Sequence, residues 1–76
     1  MQRVSVSTVG HPRVLSWHFE PGDLVVRFEG HAGDSCPICV CGRGHWFAHS
    51  EKDSSGRDRL HLLCHNCGHR FEFDLA

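Results

Sequence analysis

Two short cysteine hooks in the second half of the chain, Cys36-Pro37-Ile38-Cys39 and Cys64-His65-Asn66-Cys67, stand 24 residues apart and constrain this sequence more than any other feature. Thiolates at that spacing can close around one tetrahedral zinc ion, which then welds together two turns that are distant along the chain. A protein of 76 residues needs such a staple, because a hydrophobic core of this size is marginal by itself. Cys36, Cys39, Cys64 and Cys67 are therefore the expected ligands of one structural zinc ion. The total of five cysteines is odd, which argues against a disulfide framework, and Met1 to Glu20 shows no basic start followed by an apolar run. The expected setting is reducing and cytoplasmic. No segment has the length of apolar helix that a bilayer requires, so no membrane partner is expected.

Charge narrows the partners. Eight Lys plus Arg against nine Asp plus Glu give a formal −1, and four thiolates on one divalent ion make the loaded chain more negative still. Binding that rests on phosphate neutralisation needs an excess of Lys and Arg, which this balance does not supply.

The hydrophobic pattern has period two throughout, so an all-β fold is expected. Val4 and Val6 alternate with Ser5 and Ser7 in a first short strand ending before Gly10. Leu15, Trp17 and Phe19, then Leu24, Val26 and Phe28, line one face of a hairpin. Pro21 and Gly22 suit the centre of a type II turn, although two-residue hairpins favour the primed types, which argues for a longer loop. Three further strands are expected at about 44–50, 60–64 and 70–75. In the last, Phe71, Phe73 and Leu75 oppose Arg70, Glu72 and Asp74, the signature of a sheet with one wet face. The polar run from Glu51 to Arg59 reads as a hairpin tip in solvent. The expected architecture is a small zinc-bound all-β domain: an N-terminal hairpin or meander over 1–31 packed on a three-stranded unit over 32–76, forming one compact domain overall.

From Cys36 to Leu75 this order of hook, Trp46-Phe47 strand, polar tip and Cys64-His65-Asn66-Cys67-Gly68-His69-Arg70-Phe71 resembles the zinc-ribbon superfamily. It is similar to the ribbons of transcript-cleavage factors and of small RNA polymerase subunits. The common hook of that family places glycine directly after its second cysteine, whereas here Val40 follows Cys39 and Gly42 follows Cys41. Two arrangements stay open: Cys36 and Cys39 ligate and Cys41 is spare, or the hook has slipped and Cys41 ligates. The first is the expected one, because two intervening residues let both sulfurs face one ion.

A four-sulfur site has no open position for water or substrate, and no nucleophile or phosphate-cradling motif appears elsewhere, so no enzymatic activity is expected. The favoured function is a zinc-ribbon module that binds a protein partner in transcription or nucleic-acid machinery, with RNA polymerase as the partner the resemblance implies. One alternative is a single-stranded nucleic-acid binder. The other is an accessory domain whose acidic tip assists a polymerase. Candidate interaction residues are Trp46, Phe47, Glu51, Asp53, Arg57, Arg59 and Arg70.

Overall fold

The computed structural model describes residues 2–76. Seven strands and one helical turn follow in the order β1 (Gln2–Ser5), α1 (Val6–Val9), β2 (Val14–Glu20), β3 (Asp23–Phe28), β4 (Ser35–Ile38), β5 (Trp46–Lys52), β6 (Asp58–Cys64) and β7 (Arg70–Asp74). They form two sheets, one of four strands in the order β1-β4-β3-β2 and one of three in the order β5-β6-β7. The all-β expectation holds.

The first strand stops at Ser5, earlier than its alternation suggests. Ser5 Oγ accepts from the Ser7 N–H at 3.3 Å, a local bond that caps a helical turn and competes with the strand ladder. That turn buries Val6. β1 then pairs in parallel with β4, Arg3 opposite Cys36, so the residues just before the first hook belong to a strand.

The β2–β3 hairpin turns on Pro21 and Gly22 alone, with Glu20 paired to Asp23 and Gly22 at φ +85°. The longer loop is not needed, because glycine takes the positive φ that the turn requires. The register shifts between Val14 and Ser16, a bulge that sets Leu15 aside and puts Val14 opposite Phe28. Val14 and Phe28 are therefore fully buried while Leu15 is 49% exposed, which corrects the expected inward face. Phe19 is also exposed, at the turn end of the hairpin.

In the three-stranded sheet, β5 and β6 pair from Trp46↔Cys64 to Lys52↔Asp58, extending the expected arms toward a tight tip. That tip is held by Asp53, whose Oδ1 accepts from the Ser55 N–H, the Ser55 hydroxyl and the Arg57 N–H at 2.9, 2.6 and 3.1 Å. Leu60, Leu62 and Phe73 point inward to a core shared with Val14, Val26 and Phe28. Specific contacts join the sheets among the described residues. The rings of Phe28 and Phe73 meet edge to face at 5.3 Å, the Trp46 indole N–H donates to the Pro37 carbonyl at 2.8 Å, and Ala76 N–H donates to the Val14 carbonyl at 3.0 Å.

Candidate metal centre

Each hook is a turn closed by its own backbone. In the first, Cys39 N–H donates to the Arg43 carbonyl and Gly42 N–H to the Cys39 carbonyl, both at 2.8 Å. In the second, Cys64 N–H donates to the His69 carbonyl at 2.8 Å and Gly68 N–H to the Cys64 carbonyl at 3.0 Å. Gly42 and Gly68 adopt φ of +88° and +79°, the left-handed region that glycine enters without steric cost. The two turns are thus equivalent, one residue apart in length, and each carries a cysteine at its start and another directly before its glycine. The His65 N–H donates to the His45 carbonyl at 2.9 Å and ties the second turn to the chain entering β5.

This geometry gathers Cys39, Cys41, Cys64 and Cys67, whose sulfurs all lie within 4.8 Å of one another. The cluster differs from the set expected from the sequence at one position: Cys41 lies in it and Cys36 does not. The cause is the backbone of β4. Cys36 lies inside β4, paired with Arg3 of β1 and buried there, whereas Cys39 follows the strand in the turn, so the ladder holds Cys36 apart from the cluster.

The sulfur cage fits zinc. Zn–S bonds of about 2.3 Å in a tetrahedron put sulfurs about 3.8 Å apart, and the Cys41–Cys64 and Cys39–Cys67 separations are 3.7 and 3.4 Å. Both are far too long for a disulfide, whose sulfurs lie about 2.05 Å apart. Polar groups surround the cage: the Asn66 side-chain amide lies 3.6 Å from the Cys41 sulfur, and His69 Nδ1 lies 3.1 Å from the Cys67 sulfur.

The electrostatics are uneven across the four thiols. The Cys67 backbone N–H, aided by that of Asn66, draws Cys64 down to about 6. The Arg43 N–H and the Asn66 amide lower Cys41. Burial pushes Cys39 up to about 12. A cation held by the four sulfurs would find Cys64 nearest to its thiolate form and would have to displace the Cys39 proton.

The candidate interaction residues separate. Trp46 is buried and holds the Pro37 carbonyl, so it serves the core. Phe47 is 56% exposed and its ring meets that of His65 at 4.8 Å. Asp53 holds the tip turn, which keeps its carboxyl below the usual range through the Ser55 hydroxyl. Arg59 lies 3.7 Å from Glu72 and 3.5 Å from Asp74, and Lys52 lies 3.4 Å from Asp58. Glu51 is set among His49 and His61 on the outer face of the sheet. Arg57 and Arg70 are exposed. The sequence reading passed over the histidine pair, whose signal is its cross-strand register. Among the described residues, no helix is long and apolar enough to cross a membrane. Comparison of the chain with protein-family models, with curated proteins and with solved structures gives no match.

Proposed function

We propose that this chain is a non-catalytic module, folded around one structural zinc ion held by Cys39, Cys41, Cys64 and Cys67, that binds a protein partner. The observation that carries the reading is a groove of about 240 Å³ between the β2–β3 turn and the second hook, lined by Phe19, Leu24, Phe47 and His65. Two phenylalanines more than half exposed on one groove form an apolar centre, and Glu20, Asp23 and His45 give it a polar rim. That is the anatomy of a protein contact, in which aromatic anchors supply most of the binding energy. Nucleic acid is less favoured, because Lys52 and Arg59 already face carboxylates, which leaves Arg57 and Arg70 as the exposed candidate cations. The carboxylates of the hairpin are likewise engaged, with Asp53 turned into the tip and Asp58 beside Lys52, which weakens the acidic-tip alternative.

The test compares the zinc-loaded chain with its Phe19→Ser and Phe47→Ser variants in capture from nuclease-treated cell extract. A protein retained by the wild type and lost with both variants supports the reading. Retention indifferent to both substitutions refutes it, as does binding to single-stranded oligonucleotides that falls steeply with salt.

A further inference from the structure

The outer face of the three-stranded sheet carries a second cluster of ligand-type side chains, remote from the cysteines in chemistry and in register. His49, His61 and Glu72 form one cross-strand row, and Glu51, Arg59 and Asp74 form the next. The His49 and His61 rings stack nearly parallel, 5.1 Å apart with 9° between planes, and present their Nε2 atoms to the same carboxylate. Glu51 Oε2 lies 3.6 Å from His49 Nε2, and Glu51 Oε1 lies 3.4 Å from His61 Nε2.

We propose that His49, His61 and Glu51 form a second metal site, for a first-row divalent cation such as Zn²⁺ or Ni²⁺, distinct from the four-cysteine centre. The spacing is the first argument. Metal–ligand bonds of about 2.0–2.1 Å in tetrahedral geometry separate neighbouring donor atoms by about 3.3 Å. The two nitrogen–carboxylate separations sit near that value, and both exceed the roughly 2.7–2.9 Å of a charge-assisted hydrogen bond. All three donors lie within 4.8 Å of one another, so small rotations of partly exposed side chains close the set.

The second argument is the support behind it. Glu72 Oε1 lies 3.2 Å from His61 Nδ1, on the side of the ring away from Glu51. A carboxylate behind the imidazole fixes the tautomer that leaves Nε2 free to ligate, as in metal sites generally. Arg59 lies 3.7 Å from Glu72 Oε2, the other oxygen, and so orients that carboxylate in turn. Charge agrees: Glu51, Glu72 and Asp74 outnumber Arg59 and Arg70 on this face. Imidazole with carboxylate suits zinc, nickel and copper rather than calcium or magnesium. Three protein ligands leave at least one position for water or an outside ligand, unlike the closed sulfur cage.

The test is a calorimetric titration of Zn²⁺ into the apo chain, followed by Ni²⁺ added to the chain holding one equivalent of zinc. The expected result is two binding events, the weaker one losing at least about tenfold in affinity in His49→Gln and in His61→Gln while the tighter event is retained. The retained event also reports that each variant folds. Glu72→Gln should weaken the second event by about 10–100-fold, as loss of a supporting carboxylate does, without changing its stoichiometry. Ni²⁺ should broaden the His49 and His61 ring resonances first. Absence of a second event, or one unmoved by both histidine substitutions, overturns the site, whereas loss of the tighter event alone in the wild type would count against the cysteine centre instead.

Discussion

Exchanging each of two cysteines for alanine separates fold from ligation. Cys36 is 8% exposed in β4 and stands apart from the cage, whereas Cys41 is exposed and contributes one corner of it. Cys36→Ala removes one buried sulfur, comparable to about one methylene, and should cost about 1 kcal/mol with and without metal. Cys41→Ala should leave the apo chain nearly unchanged and damage only the loaded one. A zinc buffer at about 1,000 times the dissociation constant stabilises the wild type by about 4 kcal/mol. At roughly 4–8 °C per kcal/mol for a domain of this size, that is a rise of about 16–32 °C in Tm. Even a hundredfold loss of affinity, the upper end for loss of an outer supporting group, would leave about a third of that rise in Cys41→Ala. Thermal unfolding of both variants in chelator and in zinc buffer measures all four values, and cobalt absorption counts the thiolates bound. Equal loss of zinc stabilisation in the two variants, or loss confined to Cys36→Ala, would refute the assignment.

Two further outcomes follow from the same geometry. Trp46→Phe removes the donor from the buried contact with the Pro37 carbonyl and should cost about 1–3 kcal/mol, read as a lower Tm in the zinc-loaded chain with zinc stoichiometry unchanged. Zinc binding at pH 7 should release more than one proton but fewer than four, because Cys64, near 6, is already largely thiolate while Cys39, near 12, is not. The sign is that affinity rises with pH, and it should fall more steeply once pH drops through about 6 and Cys64 takes up its proton. Calorimetry in buffers of different ionisation enthalpy measures the release, and four protons at pH 7 would contradict the uneven titration.

Strand identity was legible wherever period two ran unbroken. Phe71 and Phe73 against Arg70 and Glu72 predicted β7, and Pro21-Gly22 marked the place of the β2–β3 turn, though not its length of two residues. The pattern misled where a local event broke the alternation. The bulge after Val14 exchanges Leu15 for Val14 on the inner face, and no composition rule marks it. The Ser5 cap diverts the chain before Val6 can continue the strand. The parallel pairing of β1 with β4 joins segments more than thirty residues apart, a non-local contact that neither segment announces by itself. The histidine site depends likewise on register: His49 and His61 become neighbours only when the tip closes on Asp53.

At the sulfur cage the decisive signal was present but outweighed by spacing. Cys-x-x-Cys is permissive, since it fixes only the distance along the chain, whereas the turn that bears the ligands demands a particular backbone. The residue after the second clustered cysteine enters the left-handed region in both turns, where Gly42 and Gly68 sit. A hook ending at Cys39 would put Val40 there, and a β-branched residue at positive φ costs more than the roughly 1–2 kcal/mol of an ordinary side chain. Ending at Cys41 gives that position to glycine and leaves the backbone before Cys39 extended. Residues 35–38 can then pair with β1 and β3. The same one-step choice therefore accompanies both the cluster and the fourth strand: with Cys41 rather than Cys36 beside Cys39 in the cluster, Ser35 to Ile38 stay in the ladder that joins β1 to β3.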